Sequence, residues 1–185
     1  VVPGVFTDLP GNANATGDTL SIPVDTIAPT IAISRAGTGT LIIGDTAIIT
    51  FTLSEPSTSF SLTDVAPTGG TLGNFQGSGT TYTATFTPAA SFEGTANIVV
   101  APNAFTDIPG NPNAAGDTLI IPVDTIAPTI AISRAGTGTL IIGDTDTITF
   151  TLSEPSTNFE LTDVTTTGGT LGNFQGSGTT YIATF

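Results

Sequence analysis

The chain has 185 residues, with fifteen acidic residues against two arginines and a net charge of −13. That balance excludes nucleic acid and anionic membrane surfaces as natural partners, because phosphate contacts need Lys or Arg, and it makes divalent cations the natural counter-charge. The absence of His, Cys and Lys excludes a Ser-His-Asp triad, a Cys nucleophile, ordinary zinc sites, Schiff-base chemistry and Lys–Asn cross-links.

Residues 1–24 open with the turn-rich string Phe6-Thr7-Asp8-Leu9-Pro10-Gly11-Asn12, and residues 19–24 then alternate apolar and polar as a strand does. The joint Val24-Asp25-Thr26-Ile27-Ala28-Pro29-Thr30 follows, and it returns unchanged as residues 123–129. The period is 124 − 25 = 99 residues. Residues 30–34 are expected to form a first strand and residues 46–53 a second, with Ile49, Phe51 and Leu53 on one face. Ser54-Glu55-Pro56-Ser57 reads as a turn, and Phe60 and Leu62 mark a third strand. A Gly-rich stretch leaves room for a short strand at residues 72–75. Tyr82, Ala84 and Phe86 face inward on the next strand, and Ala96, Ile98 and Val100 on the one after. A long loop over residues 102–117 leads to the last strand.

No stretch carries the 3.6-residue apolar period of a helix, and no apolar run approaches the roughly 20 residues that span a membrane. The fold class is therefore all-β: tandem immunoglobulin-like β-sandwich repeats of 99 residues, about seven strands each. Residues 1–24 read as the last loop and strand of a preceding repeat, 25–123 as a complete repeat, and 124–185 as a repeat without its last two strands. Between residues 25–86 and 124–185 only seven of 62 positions differ, and by the alternation none is a central inward one. Two full repeats would take 198 residues, 13 more than are present. The sequence is thus read as a mature protein or an excerpt of a longer array. A second reading is strand exchange, in which residues 1–24 of one copy complete residues 124–185 of another, head-to-tail.

The acids concentrate in loops and the joint, with Thr on the outer strand faces. Strand direction places Glu55, Asp107 and Asp117 at the pole where Asp25 enters. Calcium takes six to eight oxygens, mainly carboxylate, carbonyl and water. Asp25, Glu55 and Asp107, with an oxygen near Asn111, are expected to supply much of that shell. Asp45, Asp64 and Glu93 fall at the opposite pole, which faces the next joint, where Asp124 and Glu154 arrive. The sequon Asn14-Ala15-Thr16 has no counterpart at Asn113-Ala114-Ala115 and reads as chance. Glu55 and Asp64 fall at opposite poles, which rules out a glycosidase carboxylate pair.

The joint, the Thr-Phe-Thr-Leu-Ser-Glu-Pro segment, the Gly-Gly-Thr-Leu-x-Asn-Phe segment and the Ala-Phe-Thr-Asp-x-x-Gly-Asn loop occur in order at fixed spacing. As a set they resemble bacterial Ig-like tandem repeats, the extender repeats of giant RTX-type adhesins and related surface proteins. The resemblance covers the whole chain and implies secreted, calcium-rigidified rods on the cell surface. It maps the joint calcium to Asp25 and Asp124, Glu55 and Glu154, and the loop acids Asp8 and Asp107. The expected role is a structural, non-enzymatic spacer whose neighbours are further repeats or copies of itself, with no nucleic acid and no membrane insertion. A self-assembling filament or sheath joined by strand complementation is the alternative, and a glycan-binding module a third reading.

Overall fold

A computed structural model describes all residues, Val1–Phe185. The chain divides into two compact units. The first comprises Val1–Leu41, Asp45–Pro88 and Gly94–Val123, and the second Ile42–Gly44, Ala89–Glu93 and Asp124–Phe185.

The first unit holds two three-stranded sheets. One has the order β1-β2-β4, with β1 Ile31–Arg35, β2 Ala47–Ser57 and β4 Gly70–Pro88. The other has the order β3-β5-β6, with β3 Val65–Thr68, β5 Glu93–Val100 and β6 Asp117–Asp124. Period-two alternation builds the core between them, since successive strand side chains point to opposite faces. Ile49, Phe51 and Leu53 of β2 are buried, as are Tyr82, Ala84 and Phe86 of β4 and Ala96, Ile98 and Val100 of β5. Phe60 joins Phe51, Tyr82 and Phe105 edge to face, at 5.1 to 5.5 Å between ring centres. Aromatic quadrupoles favour this arrangement over face-to-face contact.

Three local expectations are corrected and one is refined. The strand expected at Phe60 and Leu62 is a bend followed by one 3₁₀ turn, Leu62–Asp64, and pairing resumes only at β3. Asp64 closes that turn by accepting from the Ser61 amide at 2.8 Å and the Ser61 hydroxyl at 3.0 Å, a capping box that competes with strand pairing. The turn expected at residues 54–57 is instead the end of β2, which shifts register between Thr52 and Ser57. The two strands expected near residues 72–75 and 81–86 are present, as the two arms of a hairpin within β4. Gly77 and Gly79 have φ of +130° and +67°, and the ends of β4 lie side by side. Finally, residues 19–24 form no ladder, although the same pattern at Asp117–Asp124 is β6. A strand needs a neighbour to take its backbone bonds, and β6 has β5.

Gly70 is required by close approach. A Cβ there would stand 2.4 Å from the Thr87 carbonyl oxygen and 2.5 Å from the Phe86 ring, and Phe86 is fully buried. Gly70→Ala is expected to cost the first unit about 1–3 kcal/mol by overpacking, measured by chemical denaturation.

The second unit repeats part of this plan in one sheet, β7-β8-β9, with β7 Ile130–Arg134, β8 Thr147–Ser156 and β9 Gly172–Thr184. Its registers match those of the first unit: Phe150 faces Tyr181 as Phe51 faces Tyr82. Phe150, Tyr181 and Ala183 are buried, while Ile148, Leu152, Phe159 and Phe174 pack on them only partly covered. One difference between the copies faces inward after all, since Ala47 is buried. Its counterpart Asp146 accepts from Gly136 N at 3.0 Å and pairs with Arg134 at 3.2 Å.

Candidate metal centre

Three carboxylates from separate stretches of the first unit meet. One oxygen of each of Asp25, Glu55 and Asp107 lies within 4.8 Å of the others. Asp25 comes from the joint, where its Oδ1 accepts from Ile27 N at 3.0 Å and sets the chain's direction into β1. Glu55 lies on β2 beyond the register shift, which re-aims side chains at the end of the strand. Asp107 sits in the loop before β6. Its Oδ1 accepts from Gly110 N and Asn111 N, both at 2.7 Å, and its Oδ2 from Asn111 Nδ2 at 2.8 Å. Pro109 and Gly110, the latter at φ +108°, bring those amides round to the carboxylate. Asn111 Nδ2 also reaches the Asp25 carbonyl oxygen at 3.4 Å, so the loop touches the joint directly.

The electrostatics follow from this convergence. Asp25 is exposed and Glu55 half-buried, but Asp107 is only 3 % exposed. Burial raises the Glu55 carboxyl above its ordinary range, and the charges of Asp25 and Asp107 add to the rise. Burial also pushes Asp107 upward, but the hydrogen bonds from Asn111 and Gly110 together outweigh it and leave the group below its ordinary value. Neither arginine neutralises the cluster: Arg35 donates to Gly39 O, and Arg134 pairs with Asp146. Three convergent carboxylates in this setting have the hard oxygen chemistry of a calcium site, and one carboxylate can give one or two oxygens.

The two shifts predict opposite pH effects in the ion-free first unit. The folded state holds the Glu55 proton more tightly than the unfolded chain does. Its contribution to stability is therefore lost as pH rises from the ordinary Glu range through the raised value. Asp107 contributes stability above the ordinary Asp range and loses it as pH falls through its lowered value. A denaturation series in calcium-free buffer reads the two contributions, the Glu55 one falling away on the alkaline side of its titration and the Asp107 one on the acid side of its own. Glu55→Gln should flatten the loss on its alkaline side.

The other expected residues stand elsewhere. Asp117 is outside the cluster: its Oδ2 accepts from Ile33 N at 2.7 Å and its Oδ1 from Thr118 N at 2.8 Å, so it ties the start of β6 to β1. Asp8 is held in its own loop by Asn12, whose amide donates at 2.7 Å and side chain at 2.9 Å. Those bonds, the side-chain one foremost, lower the Asp8 carboxyl below its ordinary value. Asp124 and Glu154 occupy in the second unit the places of Asp25 and Glu55, and Asp124 Oδ1 accepts from Ile126 N at 3.1 Å. No acid of residues 124–185 corresponds to Asp107.

Two residues to which the sequence reading gave no role matter locally. Asn113 is fully buried, accepting from Phe105 N at 3.0 Å and donating to the Ala101 and Ala115 carbonyls at 2.9 and 3.0 Å. It thereby fixes the loop that carries Asp107. Thr125, in the second copy of the joint, donates to Ala89 O at 2.6 Å and accepts from Phe92 N at 2.9 Å.

Comparison with known families agrees with this architecture, since the model of the bacterial Ig-like domain matches residues 25–122 and again 124–185. The chain belongs to the bacterial Ig-like domain family. No curated protein matches it. Bacterial Ig-like domains are non-catalytic modules, typically found on the surface or outside the cell, and the sandwich described above is of that kind. No helix of this bacterial Ig-like chain is long and apolar enough to cross a membrane. The matched segments meet at residue 123, inside the repeated joint.

Proposed function

We propose that the chain is part of an extracellular spacer, a stalk of tandem Ig-like modules on a bacterial surface adhesin, stiffened by calcium where the joint enters each module. The observation that carries this reading is the meeting of Asp25, Glu55 and Asp107 within 4.8 Å. Asp25 belongs to the joint, whereas Glu55 and Asp107 belong to the body of the module. An ion shared among them would pin the entering chain to the sandwich and convert a flexible linker into a fixed one. Without an ion, three like charges at this spacing repel one another, which loosens the same point. The protein's role in this reading is mechanical, and the partners of each module are its neighbours.

Isothermal titration of calcium into the chain tests it. A site with enthalpy that EGTA reverses is expected, and Glu55→Gln is expected to weaken it by roughly tenfold or more as one charged ligand is lost. Glu55 is the better choice for substitution because Asp107 also holds its own loop. Unchanged binding in Glu55→Gln would place the ion elsewhere, and no binding would end the calcium reading. The glycan-binding reading gains no support: Tyr82 and Tyr181 are core residues, each 5 % exposed, and neither offers a stacking face.

A further inference from the structure

We propose that the turn between β4 and β5 is a socket for the threonine of the second joint, and that this socket holds the joint in place without any cation. The turn spans residues 89–92, and Ser91 within it takes a left-handed φ of +53°. That reversal aims the Ala89 carbonyl and the Phe92 amide at one point. Thr125 fills the point. Its hydroxyl donates to Ala89 O at 2.6 Å and accepts from Phe92 N at 2.9 Å, and its own amide donates to Phe92 O at 2.8 Å. Thr125 is only 8 % exposed, although it stands in a joint, and it falls in the same compact unit as Ala89–Glu93.

The socket selects for a hydroxyl. A hydroxyl both donates and accepts, which the carbonyl and the amide facing it require together. An apolar side chain of the same shape would leave the Phe92 amide without its acceptor and the Ala89 carbonyl without its donor. The hold also comes at a defined place. β6 ends at Asp124, after Pro122 O has accepted from Leu41 N, so the backbone is fixed at Pro122 and again three residues later.

The two neighbouring residues Asp124 and Thr125 differ in kind. Asp124 is a carboxylate, and its Oδ1 accepts from Ile126 N at 3.1 Å. Every group in the Thr125 socket is neutral, so chelation and salt, which act on charges, leave it standing. The socket therefore goes beyond the calcium reading and does not depend on it. A module would keep a defined exit for its chain when calcium is withdrawn, and an ion would add to that hold rather than create it.

Amide hydrogen exchange of the 185-residue chain, followed by NMR in EGTA, in calcium and in high salt, tests the proposal. The amides of Phe92 and Thr125 are expected to exchange slowly in all three buffers. Thr125→Val should speed exchange at both positions by roughly tenfold or more, while amides in the middle of β2 keep their rates. Thr125→Ser, which retains the hydroxyl, should stay close to the parent chain. Fast exchange of the two amides in EGTA, or slow exchange only once calcium is added, overturns the proposal. So does a valine variant that exchanges like the parent. A valine variant that loosens β2 equally would make Thr125 a support of the whole module and overturns the socket too. If that variant does not fold, the parent chain and Thr125→Ser, compared in EGTA and in calcium, still decide. Calcium binding at Asp25 is read separately, by titration, and its failure would leave these rates as expected.

Discussion

Replacing Asn113 with alanine should cost the first unit about 2–4 kcal/mol and lower its melting temperature by roughly 10–25 °C, while Asn14→Ala should leave that transition nearly unmoved. The two asparagines hold equivalent places in the two copies of the loop and make corresponding bonds, with one more at Asn14, from Val5 N. Asn14 accepts from Val5 N and Phe6 N at 2.9 and 3.2 Å and donates to Val2 O and Thr16 O at 3.1 and 2.8 Å. The difference is burial. Around Asn14 the loop is exposed, and water can take over each bond. Asn113 is fully buried and Phe105 is 2 % exposed, so the Phe105 amide would be left in the core without an acceptor. Leaving a buried donor unpaired costs more than the bond it made, and this asymmetry sets the size of the effect. Calorimetry of the two variants, side by side, makes the comparison. Equal shifts would show that the buried network is not what holds the loop.

Calcium is expected to be the larger lever on the joint. At a free concentration 100 times its dissociation constant, an ion that binds only the folded state adds about 2.7 kcal/mol, and EGTA should remove it. Glu55→Gln is then expected to change sign with the buffer. In EGTA it relieves repulsion with Asp25 and Asp107, and the melting temperature should rise or hold. In calcium it removes a charged ligand, and the melting temperature should fall below that of the parent chain. A variant that shifts stability the same way in both buffers would mean that Glu55 acts through packing, not through charge. The test discriminates well because a single side chain is asked to do opposite things.

Much of the fold was legible because alternation is a strong signal on a buried face. The inward assignments for Ile49, Phe51, Leu53, Tyr82, Ala84, Phe86, Ala96, Ile98 and Val100 all correspond to buried residues. The third strand was misplaced because Asp64 closes a local turn on Ser61, and such side-chain-to-backbone bonds carry no period. Glu55 was placed in a turn for a related reason: a register shift breaks the alternation that the eye follows. Of the acids expected at one pole, Asp25, Glu55 and Asp107 do converge, because strand direction constrains which loops share an end. Asp117 does not, since its carboxylate is taken by the Ile33 amide across from β1. Asn113 and Thr125 escaped notice because a polar residue in a loop looks the same in sequence whether it faces water or a cage of amides.

The crossing of Leu41 and Val123 bears on how a module behaves under tension. These two residues form a parallel bridge, with Leu41 N bonded to Pro122 O at 2.9 Å. Both lie at the leaving end of the module: the chain reaches Leu41 from the entering joint, and Val123 is the last residue before the next Asp-Thr-Ile-Ala-Pro-Thr string. When neighbouring segments run in the same direction, pulling their far ends apart slides one along the other. The load then falls on the Leu41–Pro122 and Ile33–Asp117 bonds together, rather than unzipping them in turn. If the chain is the spacer proposed above, force along it would meet this shear point first, close to the residue where the next joint begins.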